Sequence, residues 1–133
     1  MGFYAWKGKK EFKRMNLRKA NYSRCIQVIK MTTKHNVLKV HGHNSYAHEK
    51  LKFDLVYLLR KNKVNIATEV EFKNGGRCDI LDLDNSVIYE VLNTETLEDF
   101  EDKKSSYPKF LKLIPVKVGE FDMRALIKFL GVD

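Results

Sequence analysis

The pattern of apolar and polar positions is clearest after residue 44. Over residues 45–61, apolar side chains recur every three or four positions, as they do on one face of a helix: Ala47, Leu51, Leu55, Leu58 and Leu59. Asn44 or Ser45 is suited to cap the start of this helix, because each can accept a hydrogen bond from a free backbone amide. The pattern therefore predicts a helix over 45–61.

Three runs that favour strands follow this helix. Residues 64–72 alternate between apolar and polar side chains, and residues 77–83 and 86–92 are rich in large apolar ones. Turn signals at 74–76 and 84–85 separate the runs, so we predict an antiparallel meander.

The remaining pattern predicts a helix, a strand and a last helix. Thr94 or Thr96 can open a polar helix that continues to about Tyr107 and crosses over to a fourth, parallel strand at 111–118. Pro115 interrupts this strand, which places it at a sheet edge or in a bulge. Asp122 can cap the last helix. The fold class is therefore α/β, with the order helix, three strands, helix, strand, helix.

The first 44 residues have no such clear period. The apolar runs 25–29 and 37–40 favour a β-hairpin, although a short helix from Asn21 to Met31 fits the same residues. Residues 8–19 fit a basic helix. We divide the chain into a basic N-terminal extension, 1–44, and a core, 45–133.

Charge separates the two parts of the chain. The protein has 133 residues and a net charge of +8, a size typical of one domain. Residues 1–45 contain 11 basic residues and one acid, whereas residues 46–133 contain 14 basic and 16 acidic ones. Such asymmetry favours a polyanionic partner, most often a nucleic acid. No secretory signal or long apolar run is present, and two cysteines do not make a disulfide framework, so we expect an intracellular, cytoplasmic protein.

Two acids of the meander carry the candidate chemistry. With the second turn at 84–85, Leu81 faces Ile88 and Asp79 faces Glu90, which places the two carboxylates about 4.5–5.5 Å apart at Cβ. Like charges in this position are destabilising unless something compensates them. A Mg²⁺ or Mn²⁺ ion held by Asp79 and Glu90 would do so and would suit phosphodiester hydrolysis. Glu49, in the first turns of the 45–61 helix, is a candidate third ligand.

The acids and the element order together carry a family resemblance. Glu49 on a helix, then Asp79 and Glu90 on a hairpin, over about residues 45–120, resemble the PD-(D/E)xK nuclease superfamily, in particular its small archaeal and phage-type members. The outline is similar to archaeal Holliday junction resolvases. The resemblance implies a restriction-endonuclease-like core, Mg²⁺- or Mn²⁺-dependent cleavage of DNA, and metal binding by Glu49, Asp79 and Glu90.

The chain departs from the superfamily pattern at one position. The resemblance implies a lysine two residues after the strand glutamate, where it orients the attacking water, but Leu92 stands there. Lys103 is our first candidate to replace it, and the alternatives are Lys104, Lys50 and Lys52. A nuclease fold that binds nucleic acid without cutting it is the alternative function.

The sequence alone leaves open whether three further residues, two acids and a histidine, take part in the site. Whether Glu69 or Glu71 joins the site depends on the length of the loop around 74–76. We expect histidines 41, 43 and 48 to lie on the surface, although His48 could contact DNA or orient Glu49. Histidines 41, 43 and 48 lack the spacing of a zinc site.

The basic residues are candidate phosphate contacts. Aromatic side chains that could stack on unpaired bases lie among those of the N-terminal extension. The basic residues are Lys7, Lys9, Lys10, Lys13, Arg14, Arg18, Lys19, Arg24 and, in the core, Arg77. No base-reading motif accompanies them, so we expect recognition of the DNA backbone or of DNA structure, including branched or single-stranded forms. A homodimer is expected by analogy only. A further alternative is a subunit whose basic face binds an acidic protein.

Overall fold

The order of elements predicted after residue 44 is confirmed. The computed structural model describes the backbone of residues 3–132 and the side chains of residues 9–132. Its elements are α1 (Phe3–Val28), α2 (Tyr46–Lys61), β1 (Ile66–Glu71), β2 (Arg77–Asp82), β3 (Val87–Leu92), α3 (Leu97–Lys104), β4 (Lys112–Lys117) and α4 (Met123–Leu130). The described chain is therefore an α/β protein with four helices and a four-stranded sheet.

The sheet is mixed and has the strand order β1-β2-β3-β4. β1, β2 and β3 form the antiparallel meander, and α3 crosses over so that β4 pairs with β3 in parallel. Pro115 lies in β4, which is an edge strand, as the missing amide hydrogen of proline requires.

The helix caps follow the sequence. Ser45 accepts a hydrogen bond from the amide of His48 at the start of α2, and Asp122 caps α4 in the same way. Thr96 and Asp99 form a reciprocal capping box at the start of α3. α3 ends at Lys104, three residues earlier than expected, and Tyr107 lies in the loop that follows.

The predicted hairpin at 25–40 is wrong. Residues 3–28 form one continuous helix, and the apolar residues at its end pack inward, with Cys25 and Ile29 both buried. Residues 36–41 run beside β1 without forming a strand: Lys39 donates its amide to Thr68 at 2.8 Å, and Asn36 bonds the backbone of Ile66. Helix propensity and burial of one face outweigh the β-rich composition of these short runs.

Apolar side chains cover both faces of the sheet. α2 and α4 pack on one face, around Leu55, Ile80 and Leu126. The last turns of α1 and the loop after α3 pack on the other, around Cys25 and Tyr107. Part of the proposed extension therefore contributes to the core.

The direction of α1 fixes where its charges lie. Arg18 donates to Asp84 in the β2–β3 turn at 2.8 Å, whereas Val28 accepts from Lys73 at the opposite end of β1. The half of α1 before Arg18 thus extends beyond the sheet, and residues 9–18 are all exposed. No helix among the described residues is long and apolar enough to cross a membrane.

Candidate functional site

Asp79 and Glu90 meet where the β2–β3 ladder opens. The predicted register is confirmed by the pairs Ile80–Tyr89 and Leu81–Ile88. Beyond Ile80, side chains replace backbone partners: the amide of Asp79 donates to Oε1 of Glu90 at 3.1 Å, and the amide of Val91 donates to Oδ2 of Asp79 at 2.8 Å. Each acid is therefore fixed by the opposite strand, and both carboxyl groups are held together.

Glu90 is buried, and its surroundings favour its protonated form. Burial and the neighbouring negative charge of Asp79 raise the pKa of Glu90 to about 7. The hydroxyl of Tyr107 donates to Oε1 at 2.8 Å, and Lys103 Nζ lies 3.8 Å from Oε2. At pH 7 Glu90 is therefore about half protonated, and a cation bound to the pair would displace that proton.

His48 connects Asp79 to Glu49. Its Nε2 lies 3.4 Å from Oδ2 of Asp79, and its Nδ1 lies 3.1 Å from Oε1 of Glu49. Burial lowers the pKa of His48, but its hydrogen bonds to the two carboxylates outweigh burial, so the pKa is raised. For Asp79, burial raises the pKa, but the bonds from His48 and Val91 lower it below its usual range. His48 thus orients both acids.

Lys52 joins the acids of α2 and β1. Its Nζ lies 2.6 Å from Oε2 of Glu49 and 2.8 Å from Oε1 of Glu69, and its side chain has no exposed surface. Arg77 approaches the other oxygen of Glu69 at 3.3 Å. Burial raises the pKa of Glu49, but hydrogen bonds from Lys52 and Asn44 outweigh it and lower the pKa to about 2.

Glu69 reaches this network because β1 is irregular at that residue. Its φ is +48°, a left-handed conformation that is costly for a residue with a side chain. Ala67 and Val70 pack in the same core cluster, although residues three apart in a regular strand face opposite sides. Glu69 therefore joins the site, while Glu71 is exposed and pairs with Lys30.

The donor set fits a cation held by two carboxylates rather than three. Asp79 and Glu90 supply the number of carboxylates that Mg²⁺ usually takes from a protein. The imidazole of His48 separates Glu49 from Asp79, and Lys52 occupies its other oxygen. Within residues 9–132, no group of three or more acid, histidine or cysteine side chains is arranged to hold a metal ion. In this arrangement His48 and Lys52 engage the carboxylate of Glu49, and its role as a third direct ligand stays a prediction.

The predicted phosphate contacts fall into two separate places. Arg77 lies at the site, as does Lys103, the candidate catalytic lysine. Arg18 lies at the other end of the sheet, where it contacts Asp84 and the carbonyl of Lys63, and Arg24 stacks over the ring of Phe110. The α1 residues before Arg18 lie beyond that end, and the side chain of Lys7 lies outside the described residues. The predicted contacts beyond that end whose side chains are described are Lys9, Lys10, Lys13 and Arg14. Lys19 is exposed one position after Arg18.

Of two further residues of the site, Lys52 has a signal in the sequence and Tyr107 has none. Lys52 follows Glu49 by three residues and stands beside Leu51 and Leu55, so a lysine within the apolar stripe of α2 is its signal. Tyr107 has no local signal, because its partners, Glu90 and the carbonyl of Arg77, are distant in sequence.

Comparison of the chain with protein families, with curated proteins and with solved structures gave no match in any of the three.

Proposed function

We propose that this protein is a divalent-cation-dependent nuclease with a restriction-endonuclease-like core, and that DNA is its substrate. The observation that carries the proposal is the pair of Asp79, which is partly buried, and Glu90, which is buried, held side by side at the point where the β2–β3 ladder opens. Such a pair is destabilising without compensation, so folds retain it chiefly where it has a task.

Asp79 and Glu90 would hold a Mg²⁺ or Mn²⁺ ion, which neutralises charge on a phosphate and lowers the pKa of an attacking water. The residues around the pair position it. Tyr107 fixes one oxygen of Glu90, which leaves the other directed toward Lys103. His48 holds Asp79 in place from α2.

Lys103 is the lysine that we assign to the role of the missing motif lysine. Its side chain is 45% exposed and lies next to Glu90, so it is free to approach a phosphate. Lys52 is fully buried and already shared by Glu49 and Glu69, which suits a structural role.

The experiment is a cleavage assay with Mg²⁺ or Mn²⁺ on single-stranded, duplex, flapped and branched DNA. We expect cleavage by the wild type, and background rates for Asp79→Asn and Glu90→Gln. Lys103→Met is expected to bind DNA but to cut it slowly. Glu101→Gln is a matched control, because Glu101 is an exposed acid of α3.

The alternative is a binding protein that does not cut. Leu92, at the position of the motif lysine, is buried and so cannot contact a phosphate. A wild type that binds every DNA with salt-dependent affinity but nicks none would favour this alternative. No salt-dependent binding of any nucleic acid would instead favour an acidic protein as partner.

A further inference from the structure

Four cations lie in the region of Glu69, Glu71 and the carboxylate pair, and they come from four parts of the chain. Lys30 follows α1, Lys39 lies beside β1, Arg77 begins β2 and Lys103 lies in α3. We call this group the cationic rim. Lys30 pairs with Glu71, Arg77 with Glu69 and Lys103 with Glu90, and the charge of Lys39 also acts on Glu71.

The rim is accessible to a ligand. The side chains of Lys30, Arg77 and Lys103 are 54%, 49% and 45% exposed. The Lys30–Glu71 pair is exposed on both sides and contributes little to stability, so Lys30 can turn toward a phosphate at small cost. Lys30 and Lys39 also line a recess of about 160 Å³ next to Glu69.

The basic half of α1 is far from this rim. Asp79 and the Asp84 turn are five residues apart along the sheet, about 16 Å at the usual rise of a strand. Lys9 lies nine residues beyond Arg18, about 14 Å further along the helix. Lys9 is therefore roughly 30 Å from Asp79, which corresponds to about nine base pairs of duplex, and Arg14, the nearer end of this basic region, is about 22 Å away.

We propose that the rim binds the phosphates next to the carboxylate pair, while the projecting half of α1 binds a distant part of the same nucleic acid. This inference rests on the proposed function, because it assumes a nucleic acid at the Asp79–Glu90 pair. It predicts that the contribution of α1 depends on the length of the ligand, whereas the contribution of the rim does not.

The experiment measures DNA binding in EDTA, which prevents cleavage, at several salt concentrations. A hairpin with six base pairs and a duplex with thirty are the two ligands. Lys30→Ala/Lys39→Ala tests the rim, and Lys9→Ala/Lys13→Ala/Arg14→Ala tests α1. Lys112→Ala/Lys128→Ala is the control for the rim variant, since it removes two exposed lysines elsewhere. Equal melting temperatures would show that all variants fold.

We expect the rim variant to weaken binding of both ligands and to reduce the salt slope, d log K/d log[salt], by about 1.8. The α1 variant should reduce that slope by about 2.7 for the long duplex and leave the hairpin unchanged. Equal effects of the α1 variant on both ligands, or a rim variant that binds like the control, would overturn the inference. Because cleavage is not measured, the result is independent of whether the wild type cuts DNA.

Discussion

Lys52 is the residue on which the two acids outside the carboxylate pair depend. It has no exposed side-chain surface and contacts both Glu49 and Glu69 within 3 Å. Removing one partner of a buried ion pair leaves uncompensated charge in a medium that solvates it poorly. The stability of this corner of the fold should therefore be sensitive to that single side chain.

Lys52→Met is expected to reduce the free energy of unfolding by about 3–5 kcal/mol, because it leaves Glu49 and Glu69 without their shared cation. Lys50→Met, two residues earlier on the same helix, should change it by less than about 0.5 kcal/mol, since Lys50 is 61% exposed. Urea denaturation measures both. Similar midpoints for the two variants would contradict the structural role of Lys52.

Glu90 should make the stability of the metal-free protein depend on pH. Its pKa is about 7 in the folded protein against 4.5 as the ordinary value, so the folded state binds more protons than the unfolded state between these values. Stability from this group is therefore present at low pH and is lost as the pH rises from about 4.5 through 7. Asp79, whose pKa is lowered, acts in the opposite sense, at lower pH.

Glu90→Gln removes that titration and keeps the shape of the side chain. In EDTA, urea denaturation from pH 5 to 8 should show the wild type losing stability relative to the variant as the pH rises. His48, whose pKa is raised, is present in both proteins, so it contributes to both curves. Parallel curves for the two proteins would mean that Glu90 is ionised throughout this range.

The elements after residue 44 could be predicted because their signals are local. Helix period, capping residues and turn residues fix α2, the meander, α3 and α4 without any distant contact, and the turn at 84–85 fixed the register that brings Asp79 to Glu90. The site around that pair could not be completed. His48, Lys52 and Tyr107 reach it only through packing of α2 and of the loop after α3 against the sheet. The face of Glu69 depends on a single left-handed residue.

α1 was predicted only in part: the basic helix over 8–19 is confirmed, but the hairpin was preferred over a helix from Asn21 because neither half of α1 has a clear apolar stripe. Its middle is attached to the sheet by polar contacts instead: buried Asp84 accepts from Arg18 at 2.8 Å and from the amide of Asn65 at 2.9 Å, and its carbonyl accepts from Asn21. This attachment is specific in geometry but small in buried apolar area. It is therefore the point at which α1 should separate from the sheet first.

Asp84→Ala is expected to destabilise the protein by about 1–3 kcal/mol, because the partly buried amide of Asn65 and the guanidinium of Arg18 lose their acceptor. Amide hydrogen exchange should increase in α1 more than in β2. Asp54→Ala removes an acid that pairs with Lys50 within α2, a type of pair worth about 0.3–0.5 kcal/mol, so it is the matched control. Uniform exchange along the chain in Asp84→Ala would contradict a local role.

At the scale of the whole molecule, charge is arranged along the axis of the sheet. The carboxylates and the cationic rim share one end, and Arg18 marks the other, from which the rest of α1 extends. The excess positive charge of the first 45 residues therefore does not simply neutralise the acidic site. Of the basic residues in that stretch, Lys30 and Lys39 act on Glu71 at the edge of the sheet.

The two cysteines have a consequence for how the molecule can be observed. Cys25 faces the core from α1, Cys78 lies inside β2, both are buried, and burial raises the pKa of each thiol. A thiol reagent should modify either one only after its element opens, because the reactive form is the exposed thiolate. The chain thus carries its own chemical reporters. Modification of Cys25 would time the release of α1, and modification of Cys78 would time the opening of the sheet. In Asp84→Ala, mass spectrometry should find Cys25 modified faster than Cys78, and equal acceleration at both would mean that the two elements open together.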